Sequence, residues 1–377
     1  MSSPARPFEA VRGQFPVTQD LVFFNHASTG PVPLVVCEAV SGLMHEHARL
    51  GVTNHAEWSH RYKILRSQIA ALVNGREDGV AFVQNTSSGL SIAATGLDWS
   101  AGDNVVIPAC EFPTNRYPWL NLERFGVEVR QVEAKDGYAH VDDVAAAMDS
   151  RTRVLSVSFV QYSNGHRYDL ASLAEICRTH DSLFVVDGTQ GVGALRCDVS
   201  ALGIDVLAVS AHKWMLGPLG IGFVHCSSSA LSRLHPSIVG WLSVDDPFSF
   251  NPVIKLPQNA ARFEAGTENA NGQVGLSATL GLLESLGVDA VEQRVLALTD
   301  KLCEDLRHAG CVLKTHRREH NRSGIVVFEH PTLPTETLFA RLNDHKVVSA
   351  MRNGGIRLSP HYYNSDSEIE QIVELLG

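Results

Sequence analysis

The stretch from Ile204 to Phe223, IDVLAVSAHKWMLGPLGIGF, constrains the fold more than any other part of the chain. Ile204, Val206, Leu207, Ala208 and Val209 make a short apolar run of the kind buried inside an α/β sheet. The run ends at Ser210-Ala211-His212-Lys213, and Gly217, Pro218, Gly220 and Gly222 then break any helix before a second apolar run ending near Val224. The pattern predicts two buried strands joined by a tight turn, with a lysine just past the end of the first. A lysine so placed sits half out of water. Desolvation disfavours its ammonium form and leaves an amine able to attack a carbonyl. An ordinary loop lysine would be solvated; the rest of the chain sets Lys213 apart.

Other polar stretches follow predicted strands in the same way. Val80 to Gln84 reads as a strand, and Asn85-Thr86-Ser87-Ser88-Gly89-Leu90 opens a helix after it. Free backbone N–H groups and the helix dipole converge there into an anion site, and a plain cap accounts for one hydroxyl but not three in a row. Arg153 to Val160 reads as a buried strand ending in Gln161-Tyr162-Ser163-Asn164-Gly165-His166. Leu183 to Val186 reads as another, ending in Asp187-Gly188-Thr189-Gln190-Gly191. Polar residues at the carboxyl ends of parallel strands are where α/β sheets hold ligands. Near the N-terminus, Asn25-His26-Ala27-Ser28-Thr29-Gly30-Pro31 is a loop suited to lie over a cavity. Near the C-terminus, Arg357 stands between apolar neighbours after Gly354-Gly355, a placement suited to a bidentate grip on a carboxylate.

The spacing of Asp205, Ser210, His212, Lys213, Gly217, Gly220 and Gly222 resembles the lysine signature of the class V aminotransferase family, and the resemblance extends in family order over roughly residues 20 to 375. It implies a fold-type I enzyme dependent on pyridoxal 5′-phosphate. The expected architecture is α/β: a large domain with a mostly parallel, mixed seven-stranded sheet between helices, and a small α+β C-terminal domain. Expected boundaries are 1–20 for an N-terminal extension, 21–257 for the large domain and 258–377 for the small one. By this resemblance Lys213 holds the cofactor as a Schiff base and then serves as a base, and Asp187 keeps the pyridine nitrogen protonated. Asn164 and Gln190 would face the phenolic oxygen from opposite sides. Thr86, Ser87, Ser210 and His212 would hold the phosphate, and Phe112 would stack on the ring. Arg357 would orient the substrate carboxylate, with Asn25, His26 and Ser28 lining the substrate pocket. Thr267 would contact the phosphate bound by the other subunit, which implies a homodimer with shared sites. The role of His166 is left open.

Composition excludes other classes. The chain has 377 residues, 44% hydrophobic and 19% charged, enough for a large domain plus a smaller one. A net charge of −10 argues against nucleic acid as a partner. Nothing resembles a run of about 18 apolar residues, so no membrane span is expected, and the first ten residues lack the apolar core of a signal peptide. Seven cysteines without CxxC spacing fit reduced thiols in a cytoplasmic protein. His45 and His47 point to different faces of a helix, so no metal is expected there. No GxGxxG follows an early strand, which argues against a dehydrogenase of the dinucleotide-binding type.

Two devices of the desulfurase branch are absent. Phe112 stands where that branch usually has a histidine, and Val347 to Asn353, just before the Arg357 segment, contains no sulfur-accepting cysteine. The expected activity is amino-group transfer by a class V aminotransferase on a small-molecule amino acid substrate of unspecified side chain. The alternatives are an isopenicillin N epimerase-like activity or a carbon–sulfur or carbon–carbon lyase. A cysteine desulfurase working through an enzyme thiol is disfavoured. Intact Lys213, Asp187 and Arg357 are at odds with a cofactor-binding protein that has no turnover.

Overall fold

The computed structural model describes residues 6–53 and 55–377; residues 1–5 of the expected N-terminal extension lie outside that range. Helices α1 (Arg6–Arg12) and α2 (Val17–Asp20) precede β1 (Val22–Phe23), and α3 (Leu34–Leu50) and α4 (His55–Leu72) follow. The main sheet is built from β2 (Val80–Val83), β3 (Asn104–Pro108), β4 (Glu128–Val132), β5 (Thr152–Ser158), β6 (Leu183–Asp187), β7 (Val206–Ser210) and β8 (Gly222–Cys226). Among them run α5 (Thr86–Gly96), α6 (Tyr117–Leu120), α7 (Val141–Ala147) and α8 (Leu170–Thr179), with α9 (Ser228–Arg233) after β8. The rest of the chain gives α10 (Ala270–Leu286), α11 (Val288–His308), β9 (Val312–Leu313), β10 (Val326–Glu329) and α12 (Thr335–Asp344). It closes with β11 (Val347–Val348), β12 (Ala350–Arg352), β13 (Gly355–Leu358) and α13 (Asp366–Glu374).

Among the described residues the main sheet has seven strands in the order β2-β8-β7-β6-β5-β3-β4. Strands β3 to β7 pair in parallel, and β8 runs against both of its neighbours. The mixed, mostly parallel sheet expected from the sequence is therefore present. Strands β6, β7 and β8 are buried along their whole length, because helices cover both faces and no face is left for polar alternation. Successive side chains of β7 still divide between two cores: Leu207 and Val209 join one, Val206 and Ala208 the other. Burying each such valine or leucine stabilises by about 1.5–3 kcal/mol.

From Phe8 onward the N-terminal segment packs against the C-terminal region. Phe8 and Phe15 are buried, Phe15 stacks on Tyr363 at 3.9 Å, and Arg12 pairs with Glu368 at 2.9 Å. Strand β1 pairs in parallel with β11, and Asn25 bridges to Ser359. The loop after β1 is thereby held by the C-terminal region. That region has its own antiparallel sheet, β12-β13-β10-β9, and its own core between α11, α12 and α13. Helix α10, expected in the small domain, packs on α3 and α4 instead. Among the described residues no single helix is long and apolar enough to cross a membrane.

Candidate active site

The carboxyl ends of β5, β6 and β7, at Ser158, Asp187 and Ser210, open into a cavity of about 340 Å³. Lys213, Asp187, Thr86, Ser87, Phe112, Gln190, Ser210, His212, Ser28 and Arg357, all named from the sequence, lie on its wall. The lysine turn is closed by Leu216, buried and at a φ of 55°, a left-handed conformation that costs a bulky residue on the order of 1–3 kcal/mol. Gly30 N–H donates to the His212 carbonyl at 2.8 Å, and a Cβ on Gly30 would lie 2.6 Å from the Lys213 carbonyl oxygen. Only glycine permits that approach.

Burial pushes the Lys213 amine down to about 8, with Asp187 opposing the shift and Arg357 and Arg352 reinforcing it. Burial pushes the Asp187 carboxyl up, while the Thr189 N–H, which donates at 2.9 Å, and the Lys213 charge hold it down. His212 is held below the ordinary histidine range by burial and by Lys213.

Helix α5 aims its N-terminus into the cavity. Asn85 caps it by accepting from Ser88 N–H. Thr86 N–H donates to Ser210 Oγ at 2.8 Å, and the Thr86 hydroxyl meets those of Ser210 and Thr189. The helix can lie this close to β7 because Gly89 faces Ala208; a Cβ on Gly89 would lie 2.9 Å from the Ala208 Cβ. The result is a cluster of hydroxyls at a helix N-terminus, a setting suited to an anion.

On the opposite side Arg357 is 1% exposed. Its Nη1 donates to the Tyr162 carbonyl at 2.9 Å and its Nη2 to Ser28 Oγ at 2.7 Å, while its Nε is buried without a partner. Burial and Arg352 push the guanidinium down to about 10. A buried cation in this state is suited to an incoming carboxylate. Phe112 stands edge-on to Tyr162 at 5.0 Å, and the Lys213 ammonium lies 5.6 Å from the Phe112 ring centre.

Several expected site residues stand elsewhere. Asn164 is off the cavity wall: its amide donates to the Gly137 carbonyl at 2.8 Å and its oxygen accepts from His166 N–H at 3.0 Å. From that loop Tyr162 reaches the cavity instead. His166 stacks on Tyr138 at 3.6 Å, also away from the cavity. His26 is fully buried, 2.7 Å from both the Ser359 carbonyl and the Tyr363 hydroxyl, and ties β1 to the C-terminal segment. Asn25 stands behind the wall and accepts from Ser28 Oγ at 2.8 Å, so it supports Arg357 only through Ser28. Gln190 lines the cavity, but its Nε2 donates to the Ala27 carbonyl and its Oε1 accepts from Trp214, each at 2.9 Å. One amide hydrogen is left over. Thr267 lies in a neighbouring cavity of about 770 Å³, whose wall shares Asn85 and Ser87 with the first.

The sequence reading passed over Glu111, Tyr162, Thr189 and Arg352. Glu111 is buried behind Ser158, accepting from its N–H at 2.7 Å and from Gln161 Nε2 at 2.8 Å, and burial pushes its carboxyl up to about 7. Its signal was an acid directly before Phe112 at a strand end. Arg352 is on the cavity wall; its signal was the Asn353-Gly354 hairpin dipeptide between it and Arg357. Among the described residues no group of three or more histidine, cysteine or acidic side chains could hold a metal. Cys303 and Cys311 are buried, and no cysteine is on the cavity wall.

The donor set fits a flat cationic heterocycle carrying a phosphate and a carbonyl. A buried carboxylate, an amine of lowered basicity, an aromatic face and a hydroxyl-lined helix N-terminus all meet in one cavity. Comparison with known proteins agrees. The family model for class V aminotransferases matches residues 22–372. A probable cysteine desulfurase of Methanothermobacter thermautotrophicus is 30% identical over 391 residues, covering 98% of this chain and 97% of its own length. A cysteine desulfurase of Klebsiella pneumoniae is 30% identical over 403 residues, covering 97% of this chain and 96% of its own. Among solved structures, the apo cysteine desulfurase of Thermococcus onnurineus superimposes with a TM-score of 0.88 at 26% identity, covering 97% of this chain and 96% of that one. The cystine C–S lyase C-DES, solved with cysteine persulfide, gives a TM-score of 0.89 at 24% identity, covering 96% of this chain and 99% of that one, and shares the fold. The chain belongs to the class V aminotransferase family.

Proposed function

We propose that this chain is a pyridoxal-phosphate-dependent enzyme acting at the Cα of an amino acid, and that its reaction is transfer of the amino group. The observation that carries this reading is the convergence of the Lys213 amine, the buried Asp187 carboxylate and the buried Arg357 guanidinium on one cavity. Thr86, Ser87, Ser210 and His212 would hold the phosphate, Phe112 would cover the ring, and Asp187 would face the pyridine nitrogen. When bound, the cofactor supplies a covalent attachment point at Lys213 and an electron sink for charge developing at Cα.

The chain's own residues do the rest. Arg357, oriented by Ser28 and the Tyr162 carbonyl, fixes the substrate carboxylate. The Lys213 amine, held near 8 by burial, is substantially neutral at mildly alkaline pH and can take a proton from Cα. The buried Asp187 carboxylate would stabilise positive charge on the nitrogen of a bound cofactor. The neighbouring cavity with Thr267 would receive a second copy of the chain, giving a homodimer with shared sites.

A second reading, carbon–sulfur bond cleavage, is favoured by the names of the desulfurase relatives. With no cysteine on the cavity wall, such an enzyme would release its sulfur product directly and hand nothing to an enzyme thiol. The deciding experiment adds a panel of amino acids, without any keto acid, to the protein loaded with pyridoxal phosphate. Stoichiometric keto acid with conversion to the pyridoxamine form supports amino-group transfer. Catalytic release of pyruvate and ammonia, or of a sulfur-bearing product, supports the lyase. A chain that takes up no pyridoxal phosphate overturns both.

A further inference from the structure

The proposed reaction gives Arg352 no task, yet Arg352 shares the cavity wall with Lys213 and Arg357. The register of the β12–β13 hairpin sets Ala350 opposite Arg357 and Arg352 opposite Gly355. Arg352 and Arg357 therefore project from the same face as diagonal neighbours, within reach of one elongated ligand. The turn between them is fixed: Asn353 and Gly354 have φ values of 51° and 76°, the left-handed pair that matches the twist of a two-residue hairpin. Arg352 is exposed at the cavity rim and donates to the neighbouring Met351 carbonyl at 2.7 Å, and among the described residues no carboxylate pairs with it. That charge is felt in the cavity, where it lowers the proton affinity of both Lys213 and Arg357.

The positions of these groups turn this into a statement about substrate. Lys213, Arg352 and Arg357 face a single wall carboxylate, Asp187. A phosphate held at the N-terminus of α5 is answered by the hydroxyls and N–H groups there, and a substrate α-carboxylate is answered by Arg357. One guanidinium, on the Arg357 side of the cavity, is left over. Building on the functional reading above, we infer that Arg352 is a substrate-selecting residue that receives a second carboxylate, carried on the substrate's side chain. The preferred substrates are then dicarboxylic amino acids and the matching 2-oxo dicarboxylic acids, with Tyr162 beside the methylene stem. A planar guanidinium is the side chain best suited to this task.

Isothermal calorimetry with glutarate and butyrate on the cofactor-loaded protein tests the inference without turnover. Glutarate should bind about tenfold tighter than butyrate, in keeping with one added charge-assisted contact. In Arg352→Gln that ratio should collapse toward one while butyrate affinity is unchanged, and Arg352→Lys should restore part of it. An equal ratio in wild type and Arg352→Gln overturns the inference. So does equal weakening of both acids, which would mark a structural role, or weakened retention of pyridoxal phosphate with the ratio intact, which would assign the guanidinium to the phosphate. Loading is read separately by absorbance. A chain that takes up no cofactor therefore overturns the functional reading, while the glutarate-to-butyrate ratio, then measured on the cofactor-free protein, still scores Arg352.

Discussion

Burying Lys213 costs stability and gains reactivity, and the two are measurable together. Its amine binds protons with a value of about 8 in the folded chain against 10.5 when exposed. Between those values the unfolded chain holds more protons than the folded one, so stability rises with pH across that window and the penalty is complete below pH 8. In the cofactor-free protein, Lys213→Met should be more stable than wild type at pH 7 by up to about 3 kcal/mol, and the gap should close as pH approaches 10.5. Urea denaturation of both proteins at pH 7 and pH 10 reads this directly; a gap that stays constant would show that the lysine is solvated. Lys213, Asp187 and Arg357 were legible in the sequence because each is an ionisable residue at a strand end or between apolar neighbours. Asn164 was not, because five polar residues fall between Gln161 and His166 and nothing local ranks them. Its contact with the distant Gly137 carbonyl turns it away and leaves Tyr162 facing the cavity. His26 was misjudged for a similar reason: its partners, Ser359 and Tyr363, are more than 330 residues away.

Elements place these side chains by packing. Helix α5 reaches the cavity because Gly89 lets it settle on β7 at Ala208. Gly89→Ala would gain up to about 1 kcal/mol of helix propensity, but its Cβ would overlap the Ala208 Cβ, and overpacking of this kind costs about 1–3 kcal/mol. The expected outcome is a lower melting temperature together with weaker pyridoxal phosphate retention, since the helix N-terminus moves with the helix. A variant that is stabilised and retains the cofactor normally would show that α5 has room to shift. The C-terminal segment makes a different prediction. His361 is fully buried, 2.8 Å from the Trp214 carbonyl, and burial holds it down to about 4. Its contribution is present above pH 6.5 and lost as pH falls through the window toward 4, where the unfolded chain gains the proton first. His166 and His225, also held near 4 by burial, act in the same direction. Stability should fall steeply from pH 6.5 to 4, and His361→Gln should flatten that slope in urea titrations; an unchanged slope would place the acid sensitivity elsewhere. The strands of the main sheet were legible as apolar runs because both faces are covered. The seating of α1 on Tyr362 and Tyr363, and of α10 on α3 and α4, was not, because helical periodicity marks an apolar face without naming what it packs against.

At the scale of the whole molecule the main question is what covers the surface beside the site. Between residues 238 and 254, Ile238, Trp241, Phe250, Val253 and Ile254 are exposed, an apolar concentration of the sort that marks an interaction surface. Ile238 and Thr267 line the neighbouring cavity, which meets the first at Asn85 and Ser87. If a second chain docks here, Thr267 of each subunit serves the phosphate of the other. Thr267→Ala should then weaken pyridoxal phosphate binding by about tenfold, the loss expected for a hydrogen bond to a charged group, although Thr267 is absent from the wall of the Lys213 cavity in its own chain. Mixing decides between the geometries. In a heterodimer of Lys213→Ala and Thr267→Ala chains, a threonine acting across the interface leaves one site with both residues intact, and cofactor affinity returns to the wild-type value at that site. A threonine acting within its own chain leaves both sites damaged, and mixing restores nothing. Recovery after subunit exchange, read by absorbance titration, would establish sites built from two chains; a chain that sediments as a monomer with cofactor bound at full affinity would end that reading.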